Sequence, residues 1–350
     1  MSLGKLPLEL LFRMSLYLDR VDEVRLASVN KKARGILLPP IYMFNVRYQG
    51  SSGLFRAISM GESDILARML FDFKADANIK DAKSRTPIFH AIQGAVARGN
   101  ERIVRLLIDH GVDVNAVAPK PGTALHIAAN HGFKSIAELL LATDQKVNMD
   151  AVDENGAIAL AVAVRRQKRE IVSLILAKGS VPINKKDKFR KSALVYAVEA
   201  ENLHLVSDLL DIDDVDPNGL GISPPISIAA ARGNLPMVER FLSRPDIDVS
   251  PKSGVTPLYC AAKEGHLQVV RRLLSLGDKI DIQQTVGDRT ALSIACDGFH
   301  FEIAKLLIQH QTRICHSAAS YWKSKVVDTA VSAFKNIMFA YLYLLQKRGA

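Results

Sequence analysis

Apolar and polar positions alternate along most of this chain in a helical rhythm that breaks at regular intervals. Ile103-Val104-Arg105-Leu106-Leu107, Ile136-Ala137-Glu138-Leu139-Leu140 and Val269-Val270-Arg271-Arg272-Leu273-Leu274 place apolar residues at i, i+3 and i+4 with charge between them. That spacing belongs to a helix with one buried face. Thinner runs come before, as in Leu125, Ala128 and Ala129, where small residues suit close stacking on a neighbour. Gly61, Gly132, Gly233 and Gly265 follow the thin runs, at points where a chain that turns back can use a left-handed residue without a Cβ. The pattern predicts pairs of short helices ending at Gly111, Gly179 and Gly277, with Asp76-Ala77-Asn78 and Asp113-Val114-Asn115 leading into turn-rich hairpins.

A short phrase opens the pairs. It reads Thr86-Pro87-Ile88-Phe89, Thr123-Ala124-Leu125-His126, Thr256-Pro257-Leu258-Tyr259 and Thr290-Ala291-Leu292-Ser293, with weaker copies at Ser52, Ile158, Ser192 and Pro224. The eight starts are separated by 34, 37, 35, 34, 32, 32 and 34 residues. A Thr or Ser hydroxyl at the start can cap a helix, and Pro in the next position leaves no amide hydrogen orphaned. One such pair cannot bury its own apolar face, so a fixed period of this kind predicts a stacked solenoid. Three departures stand out. Extra residues over Ile92 to Gly99 predict a longer turn in the second repeat, Gln167 and Glu201 occupy the turn position of Gly, and Pro224-Pro225 lacks the hydroxyl cap.

The phrases and their spacing resemble the ankyrin repeat over roughly residues 50 to 319. The resemblance implies an all-α ankyrin-repeat solenoid of eight repeats plus a degenerate C-terminal one, serving protein–protein interaction. It also implies a binding side made by the residues just after each first helix and by the hairpin tips. Here these are Asn130, His131, Arg165, Arg166, Glu199, Arg232, Lys263 and Glu264, and at the tips Arg85, Lys188, Arg190, Asp288 and Arg289.

Residues 1–46 do not follow the repeat. Leu10, Leu11, Met14 and Leu18 share one helical face behind Pro7, Asp19 to Asp22 break the pattern, and a second amphipathic helix runs through Val24, Leu26, Ala27 and Val29. Helices this few rarely bury enough surface to stand alone. Leu6, Pro7, Glu9, Leu10, Leu11, Tyr17, Leu18, Leu26, Val29, Asn30 and Lys31 resemble an F-box, and the arrangement with ankyrin repeats resembles fungal F-box/ankyrin proteins. The resemblance implies docking on a Skp-type adaptor of an SCF-type (cullin) ubiquitin ligase through Leu6, Pro7, Glu9, Leu10, Leu11, Met14 and Leu18, with the repeats choosing the substrate. The alternative is an adaptor-independent scaffold whose first helices only cap the stack. The expected organisation is 1–46 F-box-like, 47–319 ankyrin repeats, and 320–350 capping helices or a degenerate ninth repeat. The last rests on the helical spacing of Val326, Val327, Ala330, Val331, Phe334, Met338, Tyr341, Leu342 and Leu345.

Composition changes this picture little: 48% hydrophobic and 23% charged residues are an ordinary globular balance. Charge adds more. The net +10 is uneven, with a basic band through Arg165, Arg166, Lys168, Arg169, Lys178, Lys185, Lys186, Lys188, Arg190 and Lys191. An acidic band follows through Glu199, Glu201, Asp208, Asp211, Asp213, Asp214, Asp216, Glu239, Asp246 and Asp248. The basic band suits an acidic peptide or a phosphopeptide. Aromatic residues to stack bases are sparse, so nucleic acid is not an expected partner.

The nine histidines are scattered, and the ankyrin resemblance gives His126 a structural hydrogen bond between repeats. With no phosphate loop, nucleophile elbow or metal-ligand run, no catalytic residue, cofactor or metal is expected, and the chain does not read as an enzyme. Cys260, Cys296 and Cys315 lack metal-ligand spacing. The first two read as small buried hydrophobes in a reducing compartment. No secretory signal is recognisable, and Asp328, Lys335 and Asn336 interrupt the C-terminal apolar stretch, which argues against a membrane span. A cytoplasmic or nuclear location is the resulting expectation.

Overall fold

The structure, a computed structural model, describes residues 53–98, 101–118, 120, 122–219, 223–252 and 254–317, without the side chains of 95–98 and 312–317. The F-box-like segment expected over 1–46 and the C-terminal segment over 320–350 lie outside the described residues. Sixteen α-helices fall there in eight pairs. The chain divides into two compact units, one reaching Pro182 and taking in Asp187–Phe189, the other formed by Ile183–Lys186 and the residues from Arg190 onward. Unit 1 pairs α1 (Gly53–Met60) with α2 (Ser63–Phe71), α3 (Pro87–Arg98) with α4 (Glu101–Asp109), α5 (Ala124–His131) with α6 (Lys134–Leu141), and α7 (Ala159–Arg165) with α8 (Arg169–Ala177). Unit 2 pairs α9 (Ala193–Glu199) with α10 (Leu203–Leu210), α11 (Pro225–Ala231) with α12 (Leu235–Leu242), α13 (Pro257–Lys263) with α14 (Leu267–Leu274), and α15 (Ala291–Asp297) with α16 (Phe301–Ser317). The described residues hold no strand, and the isolated bridges Ala118–Gly122, Val152–Ile158 and Val286–Arg289 close the fingers between pairs.

Within each unit, first helices stack on first helices and second on second: α1, α3, α5 and α7 beside α2, α4, α6 and α8 in unit 1, and the same order from α9 to α16 in unit 2. One residue type makes the first layer possible. The sixth position of every repeat is alanine, namely Ala57, Ala91, Ala128, Ala163, Ala197, Ala229, Ala261 and Ala295, and all eight are buried. A methyl group there lets neighbouring backbones approach closely, while larger side chains such as Leu70, Leu107, Ile175, Leu209, Phe241 and Leu273 fill the space under the second helices.

The caps follow the phrase only in part. Thr256 Oγ1 accepts from the Tyr259 amide at 3.1 Å. Thr290 and Ser293 satisfy one another's amides at 3.2 and 3.0 Å, a reciprocal capping box. Thr86 departs from this: it is buried and its hydroxyl oxygen has no partner. Ser192 makes no side-chain cap either, and Pro224 is followed by Pro225 at the first helical position.

The turn glycines are left-handed as expected, with φ of +74° at Gly61, +85° at Gly132, +69° at Gly233 and +83° at Gly265. Packing explains two of them. A Cβ on Gly233 would sit 2.4 Å from the His266 ring, and one on Gly265 would sit 2.6 Å from His300. Gln167 and Glu201 hold the same conformation without being glycine, at +56° and +53°. The repeat after Glu201 carries Asn234 where His266 and His300 stand in theirs. The second repeat corrects an expectation: its extra residues lengthen α3 as far as Arg98 rather than the turn. Ala91, Ala95, Ala97 and Arg98 favour helix, and about four added residues make roughly one more helical turn.

Candidate functional site

The surface expected to meet a partner is built from the fingers and the ends of the first helices. Finger geometry begins in the Asp-x-Asn segments. Asp76 accepts the Asn78 amide at 2.8 Å, and Asp113 with Asn115 and Asp216 with Asn218 repeat the turn. The same asparagines then clamp the next repeat. In unit 1, Asn78 Oδ1 accepts from the Asp113 amide at 2.7 Å and Asn115 Oδ1 from Asn148 at 2.7 Å. In unit 2, Asn184 accepts from Asp216 at 2.8 Å, Asn218 from Asp248 at 2.7 Å, and Ser250 Oγ from Asp281 at 3.0 Å. Sequence reading placed these segments ahead of the hairpins but missed their reach; the recurring Asn or Ser two residues after an acid was its visible trace.

In unit 1 most candidate residues are engaged within the fold. Arg85 donates from Nε to Asp81 Oδ2 at 2.9 Å and reaches Gln93 at 3.4 Å, while His90 Nε2 donates to the same carboxylate at 2.9 Å. Burial alone would raise the Asp81 carboxyl, but the amides of Arg85 and Lys83, the Arg85 guanidinium and His90 together hold it well below the usual carboxylate range. Asn130 and Arg166 are brought together at 2.7 Å across consecutive repeats. Arg165 lies 3.9 Å from Asp153 Oδ2, and Asp153 Oδ1 accepts the Asn155 and Ala157 amides. Lys188 binds the neighbouring finger with both nitrogens, Nζ to Glu154 O at 2.6 Å and its amide to Asn155 O at 2.9 Å. His131 is exposed and stacks on Phe133, with ring centroids 5.4 Å apart.

Unit 2 follows the same logic. Glu199 pairs with Lys191 at 2.7 Å, Arg232 with Glu201, Lys263 with Glu264 at 3.2 Å, and Arg289 with Asp297 at 2.7 Å. Arg190, left-handed with φ +61°, and Asp288 are exposed at their tips. A brace recurs in these contacts: the residue just before the phrase reaches the eighth residue of its own repeat, as Arg85 to Gln93, Lys191 to Glu199 and Arg289 to Asp297. Much of the acidic band is likewise matched by arginines of the following repeat, Asp211 by Arg240 and Glu239 by Arg272. Arg244 also caps the last carbonyls of α10 through Leu210 O at 3.0 Å.

The histidines bind repeats together. The Thr123 amide donates to His126 Nδ1 at 3.2 Å, and Nε2 donates to Ala157 O at 3.0 Å, so the ring is neutral with its proton on Nε2. Burial lowers its pKa. His266 and His300 donate back to Ala231 O and Lys263 O at 2.8 and 3.0 Å. The cysteines correct another expectation, since Cys260 and Cys296 are partly exposed rather than fully buried. Burial nonetheless pushes the Cys260 thiol up to about 11, far from a reactive thiolate. Among the described residues, no group of three or more His, Cys, Asp or Glu side chains could hold a metal ion, and no helix is long and apolar enough to cross a membrane.

The family model for ankyrin repeats, which spans three copies, matches residues 36–118, 54–151, 125–220 and 226–318. The chain belongs to the ankyrin-repeat family. An ankyrin repeat protein of Fowlpox virus (strain NVSL) is 32% identical over 148 residues, 42% of this chain and 20% of its own length. The B-cell lymphoma 3 protein homolog of Mus musculus is 30% identical over 167 residues, 46% of this chain and 36% of its own. The nuclear factor NF-kappa-B p105 subunit of Gallus gallus is 30% identical over 163 residues, 45% of this chain and 16% of its own. The crystal structure of the ankyrin repeat domain of Bcl-3, titled a unique member of the IkappaB protein family, aligns with a TM-score of 0.56 at 26% identity, covering 63% of this chain and 99% of that one. The matched stretches therefore span well under half of each curated relative. Ankyrin repeats are a non-enzymatic scaffold for protein–protein interaction, and the repeats of this chain share that character.

Proposed function

We propose that the repeats hold a protein partner and that the chain serves as the substrate receptor of an SCF-type ubiquitin ligase. What supports the first half is the division of labour among side chains. The buried alanines, the asparagine clamps and the His-to-carbonyl bonds do the stacking and recur from repeat to repeat. The finger tips and first-helix ends vary in residue type along the chain, and His131, Arg190 and Asp288 among them stand exposed. The partner-binding set is Arg85, Asn130, His131, Arg165, Arg166, Lys188, Arg190, Glu199, Arg232, Lys263, Glu264, Asp288 and Arg289, and the proposed location is cytoplasmic or nuclear. Arg166→Glu in unit 1 and Arg190→Glu in unit 2 each weaken partner capture and its salt sensitivity under this reading. Capture unchanged by both moves the contact surface elsewhere.

The second half rests on the Leu6-Pro7-x-Glu9-Leu10-Leu11 string. Co-purification with a Skp-type adaptor tests it: wild-type chain retains the adaptor, Leu10→Asp loses it and Pro7→Ala weakens it, while the melting temperature of the repeats stays put. Wild-type chain that fails to retain the adaptor, or variants that retain it equally, leave a scaffold whose first helices only cap the stack.

A further inference from the structure

The fingers of unit 1 carry a feature that stacking does not use. Val117, Val152 and Phe189 are exposed by 56%, 37% and 62%, and they sit on three consecutive fingers. Single exposed apolar residues are ordinary, but a joined group marks an interaction surface. These fingers are joined: Lys120 Nζ lies 2.9 Å from Glu154 Oε2, Lys188 Nζ donates to Glu154 O, and the Lys188 amide donates to Asn155 O. Asp153 and Asp187 are turned inward onto the amides of their own fingers. The exposed charges of this edge in unit 1 include Lys120 and Lys188 beside Glu154 and Asp150, and exposed Arg190 follows Phe189 directly along the chain.

We infer that the joined tips of Val117, Val152 and Phe189, flanked by Lys120 and Lys188, dock a segment of a partner protein that carries apolar side chains beside carboxylates. This rests on the reading of the repeats as a protein-binding scaffold and places its contact on the finger edge, where the apolar groups are, rather than on the braced helix ends. A membrane surface is the less favoured occupant, because the apolar groups are few and the flanking lysines fall short of the roughly four to eight basic residues that anionic-lipid surfaces use.

The test is a selection of short random peptides displayed against the full chain, with the triple variant Val117→Asp, Val152→Asp, Phe189→Asp as a parallel target. Enriched peptides are expected to combine acidic and apolar residues and to lose about tenfold or more in affinity against the triple variant. Lys120→Gln and added salt weaken them further. The variant positions are exposed, so its melting curve overlays that of the wild type, which separates lost docking from lost folding. Peptides that bind wild type and triple variant alike but fail on Arg166→Glu overturn the finger edge and keep the scaffold. Enriched peptides that are basic overturn the proposed chemistry. A chain that enriches no peptide counts against both readings. Co-sedimentation with phosphatidylserine vesicles that the triple variant abolishes would replace the peptide with a membrane.

Discussion

Single residues carry obligations here that depend on the neighbouring repeat. Gly265 is left-handed, and the His300 ring fills the space a Cβ would need, so Gly265→Ala is expected to cost about 1–3 kcal/mol in denaturant unfolding. Gln167 adopts the same backbone with a Cβ present. Gln167→Gly should remove up to about 1 kcal/mol of local strain, offset in part by a freer unfolded chain. Opposite signs for two changes at one repeat position are the expected outcome of paired urea titrations, and equal signs would mean that backbone conformation does not control this position. The turn position was legible from spacing alone. Its two meanings were not, because glycine is required only where a His ring of the following repeat fills the space of a Cβ, as at Gly233 and Gly265.

At the scale of helices and fingers, the alanine column and the asparagine clamps set the spacing. Ala261 packs at the centre of α11, α13 and α15, and Ala261→Leu should destabilise unit 2 by about 1–3 kcal/mol through overpacking. Asn218→Ala removes an acceptor for the Asp248 amide and a donor to Asp246 O. A loss of about 1–3 kcal/mol is expected, with faster amide exchange at Asp248 as the local readout. Helix pairs and their boundaries were readable because apolar spacing and Gly positions are local signals. The long α3 was missed because length was read as loop when its composition favoured helix. The binding surface was the least readable part. Arg85, Glu199 and Arg289 look like free charges in the sequence, whereas each meets a partner eight residues away along the chain, which only the folded finger brings near.

For the whole molecule, charge and pH are the properties that sequence totals misdescribe. Much of the +10 balance lies outside the repeats: residues 1–52 hold eight Lys and Arg against four Asp and Glu, and residues 318–350 hold five against one. Stability should respond to acid in two windows. His126 is buried neutral, so the unfolded chain takes up its proton first; its contribution is complete above the ordinary 6.5 and is lost as pH falls below it. Asp81 is held low in the fold, so its contribution is complete above the ordinary 3.8 and is lost as pH falls further. Urea midpoints measured against pH should show both declines, and His126→Gln should flatten the first while leaving the second.

The braces and clamps described above also bear on how such a chain can grow. A brace such as Lys191 with Glu199 has both ends in one repeat, and an asparagine clamp asks its neighbour only for backbone amides and carbonyls. A duplicated repeat would therefore arrive with its own finger already fastened and find its clamp waiting in whatever sequence came next. The Gly and His pairs are the exception, since His266 and His300 tolerate only a glycine before them. Copying is thus cheap almost anywhere along the array, but a repeat that begins its second helix with histidine can be inserted only behind one whose turn is glycine.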